Sequence, residues 1–234
     1  MRMIARFHKD ASIGEISHLD TMRAVQRALR RADIPAQYSQ GFHPHLNLAF
    51  ASALGVGLSS CAEWMDVPLE AAMTPEAFMA AVAPHMPEGM KLEEAHAVGN
   101  RYPALMSITG WADYYAHIAM ANPPDEAALQ EKTQDMLGRP IVTMKKSKKG
   151  MKEVDIQPMI AQMESRNDEA GIAITLRCVH APDGALNPLL FLPIWMEHCG
   201  LEGRLTVMRT AFWAEFDGKM IPMWSVPEKE GGSK

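Results

Sequence analysis

The feature that most constrains this chain is a change of hydrophobic period that recurs along it. Residues 1–10, MRMIARFHKD, set Met1, Met3, Ala5 and Phe7 against Arg2, Arg6 and His8. That is the period of two expected of a half-buried strand. Residues 17–34, SHLDTMRAVQRALRRADI, change to a helical period. Ser17 is the expected N-cap, with Asp20 three residues on to complete a variant of the capping box. At about 100° per residue, Leu19, Met22, Val25 and Leu29 are expected on one side and Arg23, Arg27, Arg30 and Arg31 on the other. Pro35 stops the helix. LNLAFASAL and CAEWMDVPLE follow as two strands joined by GVGLSS, and TPEAFMAAVAPHM as a helix with Thr74 as cap and Pro75 at its first position. GMKLEEAHAV then returns to strand character.

Strand, helix, strand, strand, helix, strand is the ferredoxin-like βαββαβ order. GNRYP, residues 99–103, reads as a seam, and the order repeats after it. LMSITGWADYYAHIAM is a strand and PPDEAALQEKTQDML a helix. IVTMKKSKKGMKEVDIQPMI is a hairpin, GIAITLRCV a strand, NPLLFLPIWMEHCG a helix starting at Asn187-Pro188 with Pro193 within it, and RLTVMRTAFWAEF a closing strand. The expected fold class is α+β, two tandem ferredoxin-like units. One domain would span 1–100, a second 101–225, and a disordered tail 226–234.

Composition excludes some classes. No apolar run reaches the ~20 residues that span a bilayer, so no membrane partner is expected. Cys61, Cys178 and Cys199 are too few and too scattered for a zinc or iron–sulfur site, and they suit a reducing cytoplasm. No phosphate-binding loop, dinucleotide fingerprint or nucleophile elbow is present, and no cofactor is expected. The methionines of the second half follow no helical spacing and read as soft core filling. The formal charge of −5 leaves a nucleic-acid partner to local basic patches.

Two such patches occur. Four arginines share one helix face with a single acid, Asp20, and arginine forks onto phosphate and stacks on bases. The plain alternative is a solvated face whose arginines meet Glu15, Glu63 or Asp66. Lys145, Lys146, Lys148, Lys149 and Lys152 cluster at the expected hairpin turn. They would lie along a phosphate backbone as point charges, or only solubilise the turn and block strand pairing.

YSQGFHPHLNLAF, residues 38–50, holds two histidines two residues apart. On a strand His43 and His45 would face one side and could grip a metal, given a third ligand such as His18 or Asp20. The favoured reading is a corner turned by Gly41 and stiffened by Pro44, with no metal. His18 and His45 could also act as general acid and base in cleaving RNA through its own 2′-hydroxyl.

ISHLDTMRAVQRALRRADIPAQYSQGFHPHLNLAFA, followed by GLSSCAEWMDVPL, resembles the radical SAM-linked proteins of bacteria. The match is carried by His18, Leu19, Asp20, Arg23, Arg27, Ala28, Arg30, Arg31, Pro35, Ser39, Gln40, Gly41, Phe42, Pro44 and His45. KEVDIQPMI, NPLLFL and RLTVMRT fit that family's weaker second half. The resemblance implies a radical SAM enzyme as partner. His43 stands where that family usually has Asn, which argues against a metal pair, and Leu46 and Asn47 replace a common Pro and Lys. The tandem layout is also similar to the RAMP nucleases that process CRISPR repeats. The leading expectation is an RNA-binding accessory protein of a radical SAM enzyme, in which Arg23, Arg27, Arg30, Arg31, Lys145, Lys146, Lys148 and Lys149 hold a structured RNA. Gln40, His43 and His45 would contact the RNA or the partner. The alternatives are a metal-independent ribonuclease using His18 and His45, and a protein adaptor without RNA.

Overall fold

The computed structural model describes residues 1–147 and 150–228, with the backbone alone at 145–147. In chain order the elements are β1 (Arg2–Lys9), α1 (His18–Arg31), β2 (Ala49–Phe50), β3 (Ser59–Pro68), α2 (Pro75–Val82), β4 (Met90–Val98), α3 (Leu105–Ile108) and β5 (Thr109–Ala119). After them come α4 (Glu126–Leu137), β6 (Val142–Ser147), β7 (Gly150–Asp155), β8 (Ile160–Asp168), β9 (Gly171–Ala181), β10 (Gly184–Ala185), α5 (Pro188–Cys199), β11 (Arg204–Phe216) and β12 (Lys219–Pro222). The fold is mixed α+β, mostly sheet. Among the described residues no helix is long and apolar enough to cross a membrane.

The chain forms two compact units, Met1–Gly110 with Arg209–Lys234, and Trp111–Met208. In the first, β1 runs antiparallel to both β3 and β4, with Arg2 opposite Pro68 on one side and Val98 on the other. The pleat sends Met3, Ala5 and Phe7 into a core with Val25 and Leu29 of α1 and Phe78 and Val82 of α2. Ile4 points the opposite way, into a second core with Trp64, Tyr102, Phe212 and Met223. β1 is therefore buried on both faces, where its alternation suggested one. Its charged residues are matched instead of wetted: Arg2 Nε donates to Asp66 Oδ1 at 3.0 Å and Arg6 Nε to Glu94 Oε1 at 2.8 Å.

Several expectations shift for local reasons. Leu19 is 61% exposed, while the buried stripe of α1 is Thr21, Val25, Ala28 and Leu29. Leu19 lies six residues before Val25, which at 3.6 residues per turn is about 120° around the helix. The strand expected over LNLAFASAL shrinks to β2, because the residues before it bond backward: Asn47 N–H donates to Gln37 O and Ser39 N–H to His45 O. Residues 105–108 form α3 before β5 begins. The expected seam at 99–103 lies inside the first unit, where Tyr102 is buried and its hydroxyl donates to Met223 O at 2.5 Å. The start of the expected tail is likewise held. Val226 is buried, and Glu228 Oε1 accepts from Gly99 N–H at 2.6 Å. Residues 229–234 lie outside the described residues.

In the second unit β9 pairs antiparallel with β5 and β8. Tyr114, Ala116 and Ile118 of β5 and Ile172, Ile174, Leu176 and Cys178 of β9 are buried, as are Leu129 and Met136 of α4 and Phe191, Leu192 and Trp195 of α5. Trp195 Nε1 donates to Thr133 Oγ1 at 3.0 Å, tying the two helices together. Helix α5 continues through Pro193, capped by Asn187 at one end and by left-handed Gly200 (φ 71°) at the other. β8 went unread in the sequence, since only Met163 of its residues is buried and the remainder follow no apolar alternation. The turn into β9 requires glycine: Gly171 has φ 145°, and a Cβ there would sit 2.0 Å from Ile118 O. The expected lysine hairpin forms from β6 and β7, with Lys145 opposite Lys152 and Ser147 opposite Gly150.

Candidate functional site

Helix α1 starts where Ser17 Oγ accepts from Asp20 N–H at 3.2 Å and donates to Asp20 Oδ2 at 2.8 Å. Asp20 thus takes the cap's hydroxyl instead of its backbone N–H. The Ser17 hydroxyl, then Arg23, holds the Asp20 carboxyl below the ordinary carboxylate range. The segment leading into the cap is fixed from below by Lys9. Its side chain is buried, and Nζ donates to Gly14 O at 3.0 Å and Ile16 O at 3.1 Å. Burial pulls the Lys9 pKa down, against opposition from Glu63 and Glu15.

With Thr21, Val25, Ala28 and Leu29 packed inward, Arg23, Arg27, Arg30 and Arg31 are all exposed. Arg23 pairs with Asp20 at 3.1 Å. Among the described residues, Arg27, Arg30 and Arg31 have no acid within ion-pair distance. Two of the acids expected to neutralise them are engaged elsewhere: Glu63 Oε1 accepts from Arg209 Nη1 at 2.9 Å, and Asp66 is held by Arg2. The acid-matched reading does not describe Arg27, Arg30 and Arg31.

SQGFHPH forms the tip of a short tongue. Gln37 and Asn47 pair at its base. Above them His45 N–H donates to Ser39 Oγ at 3.0 Å, and the same hydroxyl meets His45 Nδ1 at 2.7 Å. Gly41 turns the tip at φ 125°, a conformation that favours glycine. Gln40, Phe42, His43 and Pro44 are exposed, Phe42 completely so at 101%. From the sequence, Phe42 has a place in the family resemblance but no role; its further signal is a large apolar residue inside a glycine–proline turn. At the base, His45 borders a cleft of about 250 Å³ with Asn47, Leu48, Ala49, Asp66 and Pro68.

His18 sits elsewhere. Its ring meets the edge of Phe50, centroids 5.5 Å apart at 73°. Phe50 belongs to the core under α1, whereas its neighbour Ala49 faces the cleft that His45 borders. Among the described residues no hydrogen bond or ring contact joins the two imidazoles. Among the described residues no three His, Cys, Asp or Glu side chains are grouped to hold a metal. Lys145 and Lys146 lie on β6, described by backbone only, and Lys148 and Lys149 lie outside the described residues.

The arrangement defines a mixed α+β protein with an exposed cationic helix and a rigid aromatic tongue. Residues 2–188 match the family described as "Uncharacterized protein conserved in bacteria (DUF2344)", and the chain belongs to that family. The family's description makes no link to radical SAM enzymes. No curated protein matches the chain. One solved structure, the crystal structure of an unknown protein from Galdieria sulphuraria, is similar at 12% identity over 89% of this chain and 97% of that one. Its TM-score of 0.23 carries no argument.

Proposed function

We propose that this chain is an RNA-binding accessory protein, with the exposed face of α1 holding phosphates and the 39–45 tongue positioning unpaired bases. The observation that carries this is the row Arg27, Arg30 and Arg31, exposed and without an acid partner among the described residues. In an acidic chain such a row attracts a polyanion, and guanidinium forks match phosphate oxygens. Phe42 adds an exposed aromatic face, with Gln40 and His43 nearby as hydrogen-bonding groups, suited to stacking on a splayed base. The radical SAM enzyme enters as partner through the sequence resemblance alone. We read each unit as ferredoxin-like; support comes from β1 lying between β3 and β4, with β2 beyond β3, and from β9 lying between β5 and β8.

The ribonuclease reading needs His18 and His45 at one phosphate; His18 packs on Phe50 while Ser39 holds His45, and the arginine row favours the accessory reading. The test is binding to total cellular RNA over a salt series, with the native chain and Arg27→Glu, followed by measurement of RNA length. Steep salt dependence lost in the variant, with RNA intact, supports the accessory reading. Shortened RNA moves the assignment to a nuclease. Absence of binding at low salt overturns both and leaves a protein docking surface.

A further inference from the structure

The far half of α1 forms one wall of a cleft of about 290 Å³, and the turn at residues 83–87 forms the other. Arg27 and Arg31, one helical turn apart, stand on the helix side. His85 stands opposite, between Pro84 and Pro87, and Ala28 keeps the helix surface low. Among the described residues no acid lines this space. All three cationic or potentially cationic side chains are exposed. The turn is well held: Met86 N–H donates to Ala83 O at 3.2 Å and Met90 N–H to Pro87 O at 2.9 Å. His85 therefore sits on a fixed wall facing two arginines.

Helix polarity explains only part of this. Cations in the last turn of a helix offset the partial negative charge there, about half an elementary charge. That accounts for Arg30 and Arg31, which the last turn contains. It does not account for Arg27, a turn earlier, and a different segment brings His85, itself in the last turn of a short helix, to the same cleft. A space lined by two guanidinium groups and, among the described residues, no acid favours an anion within it.

We infer that this cleft is a phosphate site, in which Arg27 and Arg31 fork onto the oxygens and His85 supplies a donor from the facing wall. The inference rests on the RNA reading and goes further by naming where one phosphate group is gripped. The group is an internal diester or a terminal monoester of the RNA.

The full chain is titrated with a short single-stranded RNA bearing either a 5′-phosphate or a 5′-hydroxyl, and separately with inorganic phosphate. The variants are His85→Gln, Arg31→Gln and, as a control on the same face outside the cleft, Arg23→Gln. Melting temperature confirms that each variant folds. The expected result is that His85→Gln and Arg31→Gln each weaken RNA binding about 5- to 10-fold, with Arg23→Gln weakening it less, and that Arg31→Gln flattens the salt slope by about one. The imidazole NMR signal of His85 shifts on adding inorganic phosphate. A preference for the 5′-phosphate RNA assigns a terminal monoester, and equal binding an internal diester. If His85→Gln binds RNA as the native chain does and the native chain's His85 signal ignores phosphate, the cleft assignment falls while the RNA reading stands. If the native chain binds no RNA, the RNA reading falls; a His85 response to inorganic phosphate then keeps the cleft as an anion site, and no response overturns it.

Discussion

The arginines of α1 and those of the neighbouring strands put the same side chain to opposite uses. Arg2 and Arg209 lie in strands, each against an acid, and the Arg209–Glu63 pair is almost fully buried, at 2% and 6% side-chain exposure. Arg209 also lies over the Phe212 ring, 4.7 Å from its centroid. These arginines are structural: a buried charge is tolerated only with a partner. Arg27, Arg30 and Arg31 carry their charge into water, and among the described residues no acid meets it. Two acids that could have quenched the helix, Glu63 and Asp66, are paired by the strands. An arginine's role here follows from where its counter-charge went.

The sharpest way to break this contrast is to remove one partner of the buried pair. Arg209→Met is expected to cost about 3–5 kcal/mol in chemical denaturation, because it leaves Glu63 buried and uncompensated. Adding Glu63→Leu should recover much of that loss, and a strand arginine that proved dispensable would erase the distinction. Arg27→Glu is expected to do the converse. It should change stability by no more than about 0.5 kcal/mol while weakening RNA binding at low salt at least tenfold, about 1.4 kcal/mol.

A smaller effect tests how the cationic helix is started. Ser17→Ala should lower stability by about 1 kcal/mol through loss of the N-cap, read as a drop in denaturation midpoint. Asp20 gives the same cap a pH signature. Its carboxyl is depressed when folded, so its contribution is present above its ordinary pKa near 4 and is lost as pH falls through the folded value. The stability gap between the native chain and Asp20→Asn should therefore be present above pH ~4 and shrink as the pH falls below it. A gap that persisted in acid would show that Asp20 acts without its charge. The least perturbing measurement concerns the thiols. Burial pushes Cys178 up to about 12, and Cys199 is raised too. Iodoacetamide at pH ~8 should leave Cys178 unmodified in the folded chain, by mass spectrometry, and alkylate it once denatured.

Much of the local structure was legible because its causes are local. Ser17, Thr74 and Asn187 cap the helices that follow them, Pro75 and Pro188 open theirs, and the lysine-rich segment pairs as a hairpin. Misreadings arose where a distant segment competed for backbone groups or covered a face. The Gln37–Asn47 pairing took most of a strand away from β2, and a second core claimed the face of β1 that its charges suggested was wet. The arginine face was visible in the sequence, whereas a role for Phe42 at the tip of the tongue or for His85 across the cleft was not.

From the sequence alone, helical geometry already placed the four arginines on one side of α1, because 3.6 residues per turn depends on nothing beyond the helix itself. Only the tertiary structure decided that this charge stays unquenched. Glu63 is claimed by Arg209 from 146 residues away and Asp66 by Arg2 from 64. No local pattern records such pairings, since they exist only once the strands have come together.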